Sequence, residues 1–172
     1  MTPAKLIQTS LAIISQAGVC KLTPKEAFTN GVNIRTALRE QPQQTRGALV
    51  NMIGDLCRFI DAKRTLTTDN DIAFTVETII EKYPALKLEE FRLICDGMKR
   101  GAYGKYYERL KLAEIEEAIQ QYEGSTKAEV LEKLHQHQEV SRGTKEGQQV
   151  SYEPQSMADV KRLRWNEITG KK

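Results

Sequence analysis

The stretch MKRGAYGKYYERL, residues 98–110, concentrates the side chains best suited to holding an anion. Lys99, Arg100, Lys105 and Arg109 supply positive charge, while Tyr103, Tyr106 and Tyr107 supply rings. Tyrosine beside basic residues is the mixture that both nucleic-acid-binding surfaces and protein interfaces use. On this reading Lys99, Arg100 and Lys105 pair with phosphate or carboxylate, and Tyr103 and Tyr107 stack or pack. A structural reading stands beside it. Gly101 suits the left-handed position that ends a helix, with Lys99 and Arg100 favoured in the last turn by the helix dipole, and Gly104 lets the chain reverse. The residues alone leave contact surface and helical corner both open.

The glycines add little specificity. GAYG fits the Gly-x-x-Gly spacing with which KH modules clamp a nucleic-acid backbone, but that module also needs a three-stranded sheet, for which this chain offers no strands. The phosphate-binding pattern Gly-x-x-x-x-Gly-Lys fails because Lys99 stands where a glycine is required.

Catalytic sets are lacking. His135 and His137 are two positions apart, which on a helix turns them about 200° from each other and prevents joint ligation of a metal. Glu114, Glu116, Glu117 and Glu123 read as a solvated helix face, and Asp69-Asn70-Asp71 as a helix start. With neither a nucleophile motif nor a base in position, the expectation is a protein that is not an enzyme and needs no cofactor or metal. Cys20, Cys57 and Cys95 include no Cys-x-x-Cys pair, and their odd number argues against a disulfide framework. Cys57 and Cys95 fall on apolar stripes and read as small buried hydrophobes.

Helical periodicity supplies the elements that must position these residues. Ile7, Leu11 and Ile14 form one stripe. Thr23, Pro24 and Glu26 make a capping box with proline at the first helical position, and Asn30-Gly31 ends that helix. A further helical turn spans Ile34–Leu38. Leu49, Met52, Ile53, Leu56, Cys57 and Ile60 mark a long helix over 44–62. Ile72, Val76, Ile79, Ile80 and Tyr83 mark the next, stopped before Pro84. Leu88, Phe91, Ile94, Cys95 and Met98 lead into Gly101. The spacing then predicts a helix over 105–122 ending at Gly124, and another capped by Thr126 and Glu129.

Beyond Gln138 the composition turns polar and aperiodic, and residues 138–155 read as a flexible linker. Residues 156–172 follow as a short amphipathic helix, with Ser156 and Asp159 in capping-box spacing. Val160, Arg162, Leu163, Arg164, Trp165 and Ile168 make it a second candidate contact surface, with Trp165 as its anchor. Docking onto its own domain, onto a partner groove and onto nucleic acid all remain open for it.

Charge is unevenly placed. Residues 1–64 carry nine Lys/Arg against four Asp/Glu, residues 65–137 ten against fourteen, and residues 138–172 seven against five. The basic front suits a polyanion or contacts between parts of one protein. No signal-peptide pattern opens the sequence and no apolar run approaches the roughly 20 residues a membrane span needs, so a soluble cytoplasmic protein is expected.

Residues 86–122 also resemble a pattern in largely uncharacterised small helical proteins of Bacteroidota, their phages and other mobile elements. The resemblance rests on a Met-Lys-x-Gly-x-Tyr-Gly-like turn, here Met98, Lys99, Gly101, Tyr103 and Gly104, followed by Tyr107, Arg109 and Leu110 at a helix start. It implies no catalytic residues. It does imply a setting in which accessory proteins of DNA replication, helicase loaders among them, are common. The combined expectation is an all-α protein: an irregular bundle of about six or seven helices through residue 137, then linker and terminal helix. It would act as a non-catalytic adaptor in DNA replication or DNA handling, with a protein partner such as a helicase and with nucleic acid as a second partner. The alternative is a factor that binds only protein, through self-assembly or inhibition. Oligomeric state stays open.

Overall fold

A computed structural model describes residues 3–15, 21–66 and 68–146. The elements are α1 (Pro3–Ser15), α2 (Pro24–Asn30), α3 (Ile34–Glu40), α4 (Pro42–Ile60), α5 (Asp69–Lys82), α6 (Leu88–Lys99), α7 (Leu112–Tyr122) and α8 (Ala128–Glu146). A π-helical segment, Glu123–Lys127, joins α7 to α8. The protein is all-α, as its periodicity predicts, and among the described residues only two isolated β-bridges occur. Two compact units divide the chain, Met1–Glu132 and Lys133–Lys172, the boundary falling inside α8.

Local signals act where they were expected. Thr23 Oγ1 accepts from Glu26 N while Thr23 N donates to the Glu26 carboxylate. Thr68 and Asp71 form the same reciprocal pair at the start of α5. Helix α4, expected over 44–62, instead starts at Pro42, where a missing N–H in the first turn costs nothing, and ends at Ile60.

Helix α6 is the hub, with α1, α2, α4 and α7 packed on it. Every residue from Leu88 to Met98 is buried. The periodicity marks an apolar stripe on α6, and beyond that stripe Glu89, Glu90, Arg92 and Asp96 are all under 7% exposed as well. Each is partnered. Glu89 accepts from the Val32 N–H at 2.9 Å, and Glu90 accepts from Lys87 N and faces Lys127 Nζ at 3.6 Å. Arg92 meets Asp96 at 3.4 Å and donates to the Ile14 carbonyl. Hydrogen-bonded charge is what burial at these positions demands.

Two backbone pairings lace the helices together. Leu88 N donates to Val32 O and Ile34 N to Leu86 O, joining the α2–α3 and α5–α6 connections. Lys63 N donates to Tyr107 O, Arg64 N to Glu108 O, and Leu110 N to Arg64 O.

That second pairing corrects one expectation. Residues 105–111 are not helical, and α7 begins at Leu112. The carbonyls of Tyr107 and Glu108 serve the 63–64 backbone, and Leu110 is wholly buried, so tertiary pairing overrides a modest helical preference. A second correction concerns Gly124. It does not end α7, because the chain stays helical through the π-helical segment into α8, and Thr126 caps nothing. A third concerns the boundary at residue 137. Helix α8 runs on to Glu146, so residues 138–146 are helical rather than linker, while 147–172 lie outside the described residues.

Candidate functional site

The C-terminal ends of α4 and α6 lie side by side, and both are basic. Arg58 and Phe59 close α4; Lys99 and Arg100 close α6. A depression of about 470 Å³ opens between them, lined by Asp55, Arg58, Phe59, Arg92, Asp96, Lys99 and Arg100. A smaller one of about 280 Å³ lies beside it, and Phe59, Lys99 and Arg100 belong to both. Lys105, Tyr106 and Tyr107 complete the second.

The turn that follows α6 is a full Schellman closure. Gly101 takes φ 73°, Ala102 N donates to Gly97 O and Gly101 N to Met98 O. Gly104, at φ 138°, reverses the chain. The helical-corner reading of these glycines therefore holds. It does not account for the side chains around them.

Those side chains divide into packed and displayed groups. Tyr103 lies across Gly97 and is half-buried; burial raises its phenol pKa, with the neighbouring Arg100 acting the other way. Tyr106 is 9% exposed, its pKa pushed up to about 12 by burial and then by Glu117, and it belongs to the core. Tyr107 is 64% exposed. Arg100 and Lys105 are exposed. Lys99 is largely covered, 4.0 Å from Asp96 and with Nζ 5.7 Å from the centre of the Phe59 ring. Arg109 is drawn away to Glu114.

The structure thus brings Lys99, Arg100, Lys105 and Tyr107 to one face, leaves Tyr103 as packing, and ties Arg109 into an ion pair. Val160, Arg162, Leu163, Arg164, Trp165 and Ile168 lie outside the described residues.

Sequence reasoning missed Phe59 and Arg58. Phe59 is 65% exposed. Burying a phenylalanine gains about 1.5–3 kcal/mol, so an exposed ring among cations forgoes a large stabilisation. The helix dipole explains cations at these helix ends, at about 0.3–1 kcal/mol each, but not the ring. The available signal was its position in α4, off the apolar stripe and next to Arg58.

Cys95 is buried and its thiol is pushed up to about 12, so it is not a thiolate at neutral pH. Among the described residues no group of three or more His, Cys, Asp or Glu could hold a metal ion. His135 and His137 are exposed on α8. Of the glutamates read as a solvated face, Glu116 pairs with Lys82, Glu114 with Arg109 and Glu123 with Lys127. No helix among the described residues is long and apolar enough to cross a membrane. Comparison with protein-family models, curated proteins and solved structures finds no match, so the geometry carries the functional argument.

Proposed function

We propose that this protein is a non-catalytic accessory factor that acts by binding, and that the face built on Phe59, Arg58, Lys99, Arg100, Lys105 and Tyr107 contacts single-stranded nucleic acid. The observation that carries this reading is the exposure of two aromatic rings, Phe59 and Tyr107, that line one depression with Lys99 and Arg100. Bases stack on such rings with little regard to sequence, while the cations follow the phosphates. The resemblance of the 98–110 turn to proteins of phages and mobile elements suggests DNA handling as the setting. An adaptor role toward a replication protein is the corresponding partner reading.

The test is equilibrium binding of the full chain to single-stranded DNA, duplex DNA and RNA across a salt series. The reading expects single strands to bind most tightly, with affinity falling steeply as salt rises. Absence of binding to any of them at low salt would sink it. The second reading, a factor that binds only protein, draws on Phe74, 68% exposed on α5 one turn before Glu77. An aromatic beside a carboxylate suits a protein surface better than a phosphate backbone.

A further inference from the structure

Arginines also gather at the other end of α4. Arg35 and Arg39 from α3 and Arg46 from α4 line an open depression of about 560 Å³, whose lining includes no carboxylate. Glu77 holds Arg46 through contacts of 2.7 and 3.4 Å, and Glu40 approaches Arg39 at 3.3 Å, leaving the Arg39 side chain 77% exposed. Among the described residues Arg35 has no ion pair and is exposed. Arg35 and the largely exposed Arg39 offer this depression guanidinium forks that match the oxygens of a phosphate, with Arg46, held by Glu77, beside them.

The position of this cluster relative to Phe59 gives it meaning. Arg46 and Arg58 stand near opposite ends of α4, about 18 Å apart along its axis at 1.5 Å per residue. Between them the solvent-facing residues Gly47, Val50 and Asn51 carry no charge. Nothing lies within 4 Å of where a Cβ on Gly47 or Gly54 would sit. No carboxylate interrupts that stretch before Asp55, which Arg58 neutralises at 2.7 Å.

We propose that the Arg35–Arg39–Arg46 depression is a second phosphate-contact patch, and that one single strand runs along α4 from it to the Phe59 face. The inference rests on the nucleic-acid reading given above and adds a path and a length to it. The span corresponds to about five stacked nucleotides at 3.4 Å each. Charge complementarity selects this occupant, since a hydrophobic peptide would find only Val50 on the intervening face.

The experiment measures binding of the full chain to fluorescein-labelled thymidine oligomers, a 4-mer and a 12-mer, across a salt series. Wild type is compared with Arg35→Ala/Arg39→Ala and with Arg35→Lys/Arg39→Lys, each checked for helicity; Arg46 is kept because Glu77 uses it. The expected result is that the alanine variant binds the 12-mer about tenfold more weakly. Its log–log salt slope should be shallower by about 1.4, two contacts at about 0.7 each for single strands. The 4-mer, held at the Phe59 end, should bind as in wild type, and the lysine variant, which keeps the charge and loses the fork, should recover the salt slope and only part of the affinity for the 12-mer. An alanine variant that binds the 12-mer like wild type, with the same slope, would overturn the path while leaving the Phe59 site intact. Wild type that binds neither oligomer would overturn both. Equal competition by poly-glutamate would overturn the assignment to nucleic acid.

Discussion

The ring of Tyr103 occupies the space that a side chain on residue 97 would need: a Cβ built on Gly97 falls 2.5 Å from Tyr103 Cε2. Glycine inside a helix ordinarily costs about 1 kcal/mol relative to alanine. Here the contact reverses that preference, because the ring sits against the bare helix backbone and folds the turn onto α6. Gly97→Ala is expected to destabilise the protein by about 1–3 kcal/mol through overpacking. Adding Tyr103→Ala should recover part of that loss. Chemical denaturation of the two single variants and the double gives the coupling, and additive effects would refute the contact.

Gly101 and Gly124 make a matched pair with opposite expected outcomes. Gly101 lies at φ 73°, where alanine is strained, so Gly101→Ala should cost about 1 kcal/mol. Gly124 is helical with open space around it, so Gly124→Ala should stabilise by about 0.5–1 kcal/mol. Thermal unfolding of both variants is the check. A destabilised Gly124→Ala would mean that α7 ends at residue 124 after all.

Phe59 contributes little to the fold and much to the proposed surface. Phe59→Ala should leave denaturation nearly unchanged, the Lys99 contact over its ring being worth about 0.5–1 kcal/mol. Its affinity for single strands should drop about tenfold, the cost of one lost stacking partner. A salt slope equal to wild type would mark the loss as stacking and not charge.

The buried pair Arg92–Asp96 should punish half-removal. Arg92→Met leaves Asp96 buried without its guanidinium and deprives the Ile14 carbonyl of a donor, an expected loss of about 3–5 kcal/mol. Arg92→Met/Asp96→Leu should lie closer to wild type than the single variant does. Denaturant midpoints of the set decide it.

Alkali should unfold the protein earlier than its surface charge suggests. Cys95 has its pKa raised from 9.0 to about 12 by burial, and Tyr106 from 10.0 to about 12. Both bind their protons more tightly folded than unfolded, so their stability contribution is whole below pH 9 and falls as pH rises through the window to about 12. Within it Cys95 alone steepens the loss by about 1.4 kcal/mol per pH unit. Melting temperatures from pH 8 to 11 should fall more gently for Cys95→Ala.

Much of this arrangement was legible in the residues, and the exceptions share a cause. Helices with local stop and start signals, such as α2 with its Thr23–Glu26 box and α5 with Thr68–Asp71, lie where their sequences place them. The signals that misled were those outvoted by distant partners. Residues 105–111 stay out of α7 while Tyr107, Glu108 and Leu110 pair with Lys63 and Arg64, and no local pattern announces that. The burial of the charges on α6 has no local signal either, because their partners Val32, Ile14 and Lys127 lie far away in sequence. Lys99, Arg100, Lys105 and Tyr107 were found from their own cluster, whereas Phe59 and Arg58 needed the packing of α4 against α6 to join them.

The pairing of residues 63–64 with 107–110 has a consequence for biogenesis. Phe59 and Arg58 are synthesised about forty residues before Lys99 and Arg100, and the closure that fastens their neighbourhood includes the Lys63–Glu108 contact, 45 positions apart. While the chain emerges from the ribosome, Phe59 therefore has Arg58 beside it but neither Lys99 nor Arg100. It acquires its charged surroundings only once residue 110 has left the exit tunnel. The three cationic side chains of residues 99–105 thus join Phe59 only after the 63–64 backbone has found residues 107–110.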